Sequence, residues 1–394
     1  MKYLNLIYFC MLCFSVIGQN SEELVLSSRF LHPINSKDTL NTINLVKKLG
    51  VKKVDWLYSD SESGLKELSK YARFSLAMNP QVPDSGQFTI KGRVQDINGN
   101  KLKAPWMSKW KMNNPYWGCV NSPVFQEVFK KRAQVLISLG AYGLVVDDAR
   151  MNDQAVEWGG CFCEYCMDGF TNFLSTSGVN LPYLNFNYKA YLKDMNKVDS
   201  VYLLAELKMQ FKKFQHESVV KFISNWRDEI KSQWPDIKLF TNNYLGRWTE
   251  IYSLFDGGIA EIRNKDLTDS FFLQKRSTCD SLKKEQTFTL ASDNFLDYIN
   301  FFNLCKKYHF NAVAPWDVFV GKGKESNSRY FIEDDLLEVI FSNFKNDCTW
   351  QIDSTENLIV KATLSARKNR RNTNKLIVYF SSINNEIKHF EIIK

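Results

Sequence analysis

Residues 143–166 read GLVVDDARMNDQAVEWGGCFCEYC, and this stretch decides how the rest of the chain is read. It opens on a short apolar run, Gly143 to Val146, that stops on adjacent carboxylates, Asp147 and Asp148. A short apolar run closed by polar residues fits a strand buried on both faces, as in a parallel sheet. Thirteen residues after Asp148, three cysteines fall in six positions: Cys161, Cys163 and Cys166. Acids at a strand end point to catalysis. Clustered cysteines point to a metal or to disulfides.

Working outward, a strand-like run followed by an amphipathic helix recurs along the chain. The strands expected are Glu23–Ser27, Lys53–Tyr58, Arg73–Met78, Tyr142–Asp147, Ile237–Thr241, Leu254–Glu261, Gln286–Ala291 and Phe310–Pro315. Helices are expected over Thr39–Leu49, Gly64–Tyr71, Pro123–Leu139, Glu217–Gln233 and Leu296–Tyr308. Ser122 reads as the N-cap of the third, with Pro123 at its first position. Eight strands alternating with helices predict an α/β fold of the (β/α)8 TIM-barrel type. A doubly wound open sheet is the alternative, but no glycine-rich phosphate loop follows the first strand.

The ends of the chain have a different texture. Residues 1–18, MKYLNLIYFCMLCFSVIG, read as a secretory signal peptide: Lys2, an apolar stretch too short to span a bilayer, then small Gly18. No other segment is apolar enough to span a membrane, so a secreted or periplasmic protein is expected. After Asn357, apolar runs at Leu358–Leu364, Lys375–Phe380 and Glu386–Ile393 read as antiparallel strands around a basic turn. The division predicted is a barrel over 19–352 and a small C-terminal β appendage over 353–394.

Composition narrows the function. Hydrophobic residues make up 44% of the 394, enough for a full core, which excludes wholesale disorder. The net charge of +8 is modest for this length, and the dense basic cluster is confined to Ala366–Arg371. A nucleic-acid surface would interleave bases and aromatics on one face, so no nucleic-acid partner is expected. Oligomeric state is not legible.

Active sites of (β/α)8 barrels lie at the C-terminal ends of the strands. There the chain places Arg29 and His32; Tyr58 and Asp60; Asn79; Asp147, Asp148 and Arg150; Asn242, Asn243 and Tyr244; Glu261 and Arg263; Ser292, Asp293 and Asn294; and Trp316 with Asp317. This ring of carboxylates, amides and aromatics contains no Ser-His or Cys-His pair, and the chain has only four His. It suits glycoside hydrolysis, which needs two carboxyl groups across the anomeric carbon. The catalytic candidates are Asp148, Asp293, Glu261 and Asp147. Substrate binding is expected from Arg150, Asn242, Asn243, Tyr244, Trp316 and Asp317. Side chains alternate along a strand, so only one of Asp147 and Asp148 faces the barrel axis. The rivals are a non-catalytic carbohydrate-binding barrel and a metal-dependent hydrolase or deacetylase. Scarcity of His argues against the latter.

Three thiolates on one loop and a fourth from elsewhere make a tetrahedral zinc site, and Cys119, just before a helix feeding the fourth strand, is the natural fourth. A disulfide from Cys119 to one of the three is the other reading. Four thiolates leave no open position, so a zinc there is structural, with no cofactor needed for catalysis.

The run Cys119-Val-Asn-Ser-Pro-Val-Phe125, a helix, a strand ending in acids, and then Cys161-Phe-Cys-Glu-Tyr-Cys-Met-Asp-Gly-Phe170 resembles glycoside hydrolase family 42, β-galactosidases of the (β/α)8 class. The likeness extends from about Trp117 to Glu261. It implies a barrel, a galactoside substrate and structural zinc on Cys119, Cys161, Cys163 and Cys166. That family ends its fourth strand on Asn-Glu, where this chain has Asp147-Asp148, and it places a nucleophilic Glu where this chain offers Asp293. The implied layout is Asp148 as acid/base with Asp293 as nucleophile. Barrels with their nucleophilic Asp on strand four give a second pairing, Asp148 as nucleophile with Glu261 as acid/base. Arg150, Arg247 and Arg263 near the rim also admit an anionic glycan.

Overall fold

The computed structural model describes residues 24–27, 42–83, 86, 91–106, 116–179, 186–194, 201–291, 295–314, 348–355, 359–368, 372–383 and 386–393. Strands β1 (Leu24–Ser27), β2 (Lys53–Leu57) and β3 (Arg73–Met78) alternate with helices α1 (Thr42–Leu49) and α2 (Glu62–Leu68). A long excursion after β3 carries the antiparallel pair β4 (Gln81–Val82) and β5 (Tyr116–Trp117). Helix α3 (Pro123–Ser138) then leads into β6 (Gly143–Val146). Four helices follow, α4 (Met151–Ala155), α5 (Glu164–Thr176), α6 (Tyr188–Lys193) and the 33-residue α7 (Val201–Gln233). The repeat resumes with β7 (Lys238–Thr241), α8 (Glu250–Ser253), β8 (Gly257–Arg263), α9 (Asp269–Leu282), β9 (Glu285–Ala291), α10 (Phe295–Lys307) and β10 (Asn311–Ala314).

The eight strands β1, β2, β3, β6, β7, β8, β9 and β10 are parallel and close on themselves through the β1–β10 pairing, so the fold is a (β/α)8 barrel. Strands β11 (Cys348–Thr355), β12 (Ile359–Lys368), β13 (Asn372–Ile383) and β14 (Glu386–Ile393) form a separate antiparallel sheet. Its first strand begins at Cys348, a strand more than the sequence led us to expect.

Two apolar layers follow from strand alternation. Val54, Leu57, Leu76, Leu144, Val146, Leu239, Ala260 and Ile262 pack outward under the helices. Val25, Trp56, Ala77, Val145, Phe240, Ile259 and Val313 fill the barrel interior. In β2 the pairing with β3 shifts between Val54 and Leu57, and Trp56 adopts a positive φ of 63°. This one-residue bulge changes the phase of the strand, so that Trp56 enters the interior. A third cluster, including Trp117, Phe162, Phe170 and Tyr188, lies in the excursions around the cysteines.

Helix α7 starts at Val201, well before the expected Glu217, because it serves two cores. Leu207, Phe211 and Phe214 pack into the cysteine-bearing cluster, and Val219, Phe222, Ile223, Trp226 and Ile230 into the barrel. At α3, Ser122 occupies the N-cap position, but its side chain makes no capping bond. The Ser122 hydroxyl is buried without a partner.

Candidate functional site

The interior residues locate the rim directly. Two positions beyond Trp56, Ala77, Val145, Phe240 and Ile259 lie Tyr58, Asn79, Asp147, Asn242 and Glu261, on the same face of each strand and nearer its C-terminal end. Two of these meet Asp147. The Tyr58 phenol donates to Asp147 Oδ2 at 2.9 Å, and Asn242 Nδ2 donates to Asp147 Oδ1 at 3.3 Å. The same Asn242 nitrogen lies 3.5 Å from Glu261 Oε1. Because one nitrogen reaches both carboxylates, their oxygens are no farther apart than those two contacts laid end to end. That limit lies inside the roughly 9.5 Å ceiling for paired carboxyls in glycoside hydrolysis. Asp147 is buried, and Glu261 is half-buried.

Asp148, the residue favoured by the sequence, stands apart. It turns the chain out of β6 with φ 58°, a left-handed conformation that Asp tolerates better than most residues. Its charge is felt instead by Tyr252, whose phenol is pushed up to about 12, chiefly by burial, with the Asp148 and Asp153 carboxylates adding and Arg150 and Arg247 opposing. Arg150 is committed to ion pairs, at 2.8 Å with Asp153 and 2.7 Å with Glu157. Asp153 also meets His216 Nδ1 at 3.3 Å, and His216 Nε2 meets Glu250 at 3.1 Å. This network ties α4, α7 and α8 together, and nothing in the motif spacing announced His216 or Glu250.

Asn243 faces away from the rim. It is fully buried and exchanges hydrogen bonds with Gln286 at 2.8 and 3.1 Å. Tyr244 does reach the rim, 40% exposed, with its N–H bonded to Asn242 Oδ1 at 3.3 Å and its hydroxyl accepting from Arg263 Nη2 at 2.7 Å. Asp293, Trp316 and Asp317 lie outside the described residues, as do Arg29, His32, Ser292, Asn294 and the leader.

The four cysteines converge. Cys119 Sγ lies 3.6 Å from Cys161, 3.6 Å from Cys163 and 3.4 Å from Cys166, and all four are buried. These separations are too long for the roughly 2.05 Å of a disulfide, and the thiols are free. They approach the edge of about 3.8 Å that four sulfurs would span around an ion at roughly 2.3 Å. Cys166 sits on the first turn of α5 rather than in the loop. Asn152 Nδ2 donates to Cys119 Sγ at 3.4 Å and Asn121 Nδ2 to Cys166 Sγ at 3.3 Å, the outer contacts that steady thiolate ligands. Burial first, and then the hydrogen bond that Cys161 donates to Cys119, pushes the Cys161 thiol well up. A cation among them would offset the charge of the thiolates. The cluster could therefore hold a metal ion.

A recess of about 1410 Å³ opens at the opposite end of the barrel, lined by the first residues of five strands: Lys53, Arg73, Lys238, Glu285 and Asn311. Beneath it, Lys53 pairs with Asp55 at 3.2 Å, and Asp55 accepts from Tyr142 at 2.6 Å and from Ser75 at 2.7 Å. That face of a (β/α)8 barrel serves stability, and Lys53, Lys238 and Arg276 there are paired with Asp55, Glu285 and Asp280.

No family model matches the chain, and no curated protein does either. Solved structures do resemble it. The glycoside hydrolase domain of PelA from Pseudomonas aeruginosa is 10% identical at a TM-score of 0.35, over 68% of this chain and 83% of its own. A beta-galactosidase from Bacillus circulans sp. alkalophilus is 13% identical at 0.45, over 75% of this chain and 50% of its own. The catalytic domain of a beta-amylase from Paenibacillus polymyxa is 8% identical at 0.44, over 74% and 92%. Glycoside hydrolases thus recur among the neighbours, with a β-galactosidase as one of several. At such distances the likeness carries no argument about chemistry, and the barrel rests on its own strand pairing.

Proposed function

We propose that this chain is an exported glycoside hydrolase that cleaves O-glycosidic bonds of an oligo- or polysaccharide, with Asp147 and Glu261 as its working carboxyl pair. The observation that carries the reading is the single Asn242 amide that reaches both acids at the C-terminal end of the barrel. Asp147, held by two donors, is suited to act as nucleophile or base. Glu261, half-buried and within reach of the Asn242 amide, is suited to deliver a proton to the leaving oxygen. The amide of Asn242 and the ring of Tyr244 offer a sugar its hydrogen bonds and its stacking surface.

Zinc is the ion this reading assigns to Cys119, Cys161, Cys163 and Cys166, in a structural role, and the family-42 resemblance of that segment supports the choice. The leader over 1–18 and secretion or a periplasmic location belong to the same proposal, and so does a separate C-terminal unit, whose boundary falls before Cys348 rather than at 353, because a cut at 353 would divide β11.

The test is reducing-sugar release from a broad polysaccharide panel by wild type, Asp147→Asn, Asp148→Asn and Glu261→Gln. Release by wild type that is lost in Asp147→Asn and Glu261→Gln but retained in Asp148→Asn supports the pair. Loss confined to Asp148→Asn moves the centre to that residue. Saturable binding without release by any protein assigns a carbohydrate-binding barrel instead.

A further inference from the structure

Glu261 and Arg263 are two residues apart on β8 and so share a face, with Arg263 one step farther out along the strand. Arg263 Nη2 donates to the Tyr244 hydroxyl at 2.7 Å, and the Arg247 guanidinium lies 5.8 Å from the centre of the same ring. Tyr244 is thus an exposed aromatic ring with one cation at its hydroxyl edge and another over one of its faces. Lys275 joins them: its side chain packs against the turn at Gly246, and its ammonium sits 5.1 Å over Phe271. Burial, and then the Arg247 charge, depress the Lys275 ammonium, in keeping with the closeness of these two cations.

Among the described residues no carboxylate forms an ion pair with Arg247, Arg263 or Lys275. Asp266 lends Lys275 an attractive field, but its Oδ2 already accepts the backbone N–H of Arg263 at 3.0 Å. Elsewhere on the barrel, comparable cations are matched, as with Arg150 between Asp153 and Glu157 or Lys231 on Asp256. Like charges held together with an aromatic platform, beside a carboxyl pair, form a receptor for a ring that carries an anion.

We infer that the subsite flanking Glu261 takes an acidic sugar, bearing a carboxylate or a sulfate ester, with its ring on Tyr244 and its anionic group between Arg247 and Arg263. The inference rests on the hydrolase reading for what happens next to the subsite, but the binding stands separately.

The experiment is calorimetric binding of matched pairs to the full chain in its Asp147→Asn form. One pair is oligogalacturonate and its carboxyl-reduced neutral counterpart. The other is a κ-carrageenan oligosaccharide and its desulfated counterpart. We expect one charged member to bind about tenfold tighter than its neutral partner, the scale of one charge-assisted hydrogen bond. Arg247→Gln and Arg263→Gln, both exposed positions, should each erase that preference, and raised salt should weaken it. The uronate and sulfate arms tell the two anions apart. Equal binding of charged and neutral members, absence of binding by every charged member, or a preference that survives both substitutions overturns the inference. Wild-type cleavage of a neutral glycan without any charge preference would leave the hydrolase and remove the acidic subsite. Charge-selective binding with no cleavage anywhere would do the reverse.

Discussion

The phenol of Tyr58 donates to Oδ2 of Asp147 at 2.9 Å, although 89 residues separate the two in the chain. The bond fixes the carboxylate from the β2 side while Asn242 fixes it from β7. Replacing Tyr58 by Phe keeps the ring and removes the donor. We expect kcat to fall about tenfold, the scale of one hydrogen bond to a charged group, with KM little changed. Steady-state kinetics on any substrate cleaved by wild type checks this.

The adjacent acids should separate sharply. Asp147→Asn is expected to lower kcat by about 10³-fold, in the range of losing a catalytic carboxyl, and Asp148→Asn by less than about tenfold. Asp148 is a turn residue at φ 58°, a conformation that Asn also tolerates. Paired kinetics on the two variants, each with its circular dichroism melt, decide the assignment.

The four-cysteine cluster predicts a metal content. Elemental analysis of the purified chain should find about one zinc per molecule, and Cys119→Ser should lose it because Cys119 neighbours all three of its partners. Chelation or that substitution should destabilise the fold by about 3 kcal/mol or more. Retained turnover per folded molecule in the apo-protein at low temperature would mark the metal as structural.

Gly258 lies against the Asn243–Gln286 amide pair. A Cβ there would come within 2.4 Å of the Asn243 amide group. Gly258→Ala should therefore cost about 2 kcal/mol or more by overpacking and by breaking buried hydrogen bonds. Urea unfolding measures it. An unchanged midpoint would mean that Asn243 has room to move.

Alkaline stability should track Tyr252. Its phenol titrates near 12 in the folded chain and near 10 when unfolded. Between those values the unfolded chain has released the proton and the folded chain has not, so stability falls as pH rises. It is fully present below about pH 10, and the slope is roughly 1.4 kcal/mol per pH unit for this group. Tyr252→Phe should flatten that decline in melts taken from pH 9 to 12.

The barrel was legible because parallel strands buried on both faces leave short apolar runs, such as Leu76 to Met78 or Leu144 to Val146, that few other elements produce. The same property hid the choice between Asp147 and Asp148. With apolar residues on both faces of β6, alternation leaves no mark in the sequence, and the inward face is defined only by what Val145 packs against. Convergence of Cys119 on Cys161, Cys163 and Cys166 was legible from spacing, because the three lie so close in the chain. The Asn152 and Asn121 donors to their sulfurs were not, since a single amide in a loop has no periodicity to betray it. Tyr58 stood at an expected strand end, yet its reach to Asp147 depends on the phase of β2.

That phase is set by the bulge at Trp56, and it bears on how such a protein can change over generations. Exchanging one codon for another near β2 alters a side chain. Losing one codon between Val54 and Leu57 would turn every later position of the strand through half a revolution. Tyr58 would then face the helices while the amino-acid composition hardly changed. Descendants of this gene should accept replacements around Trp56 more readily than they accept insertions or deletions of a single residue there.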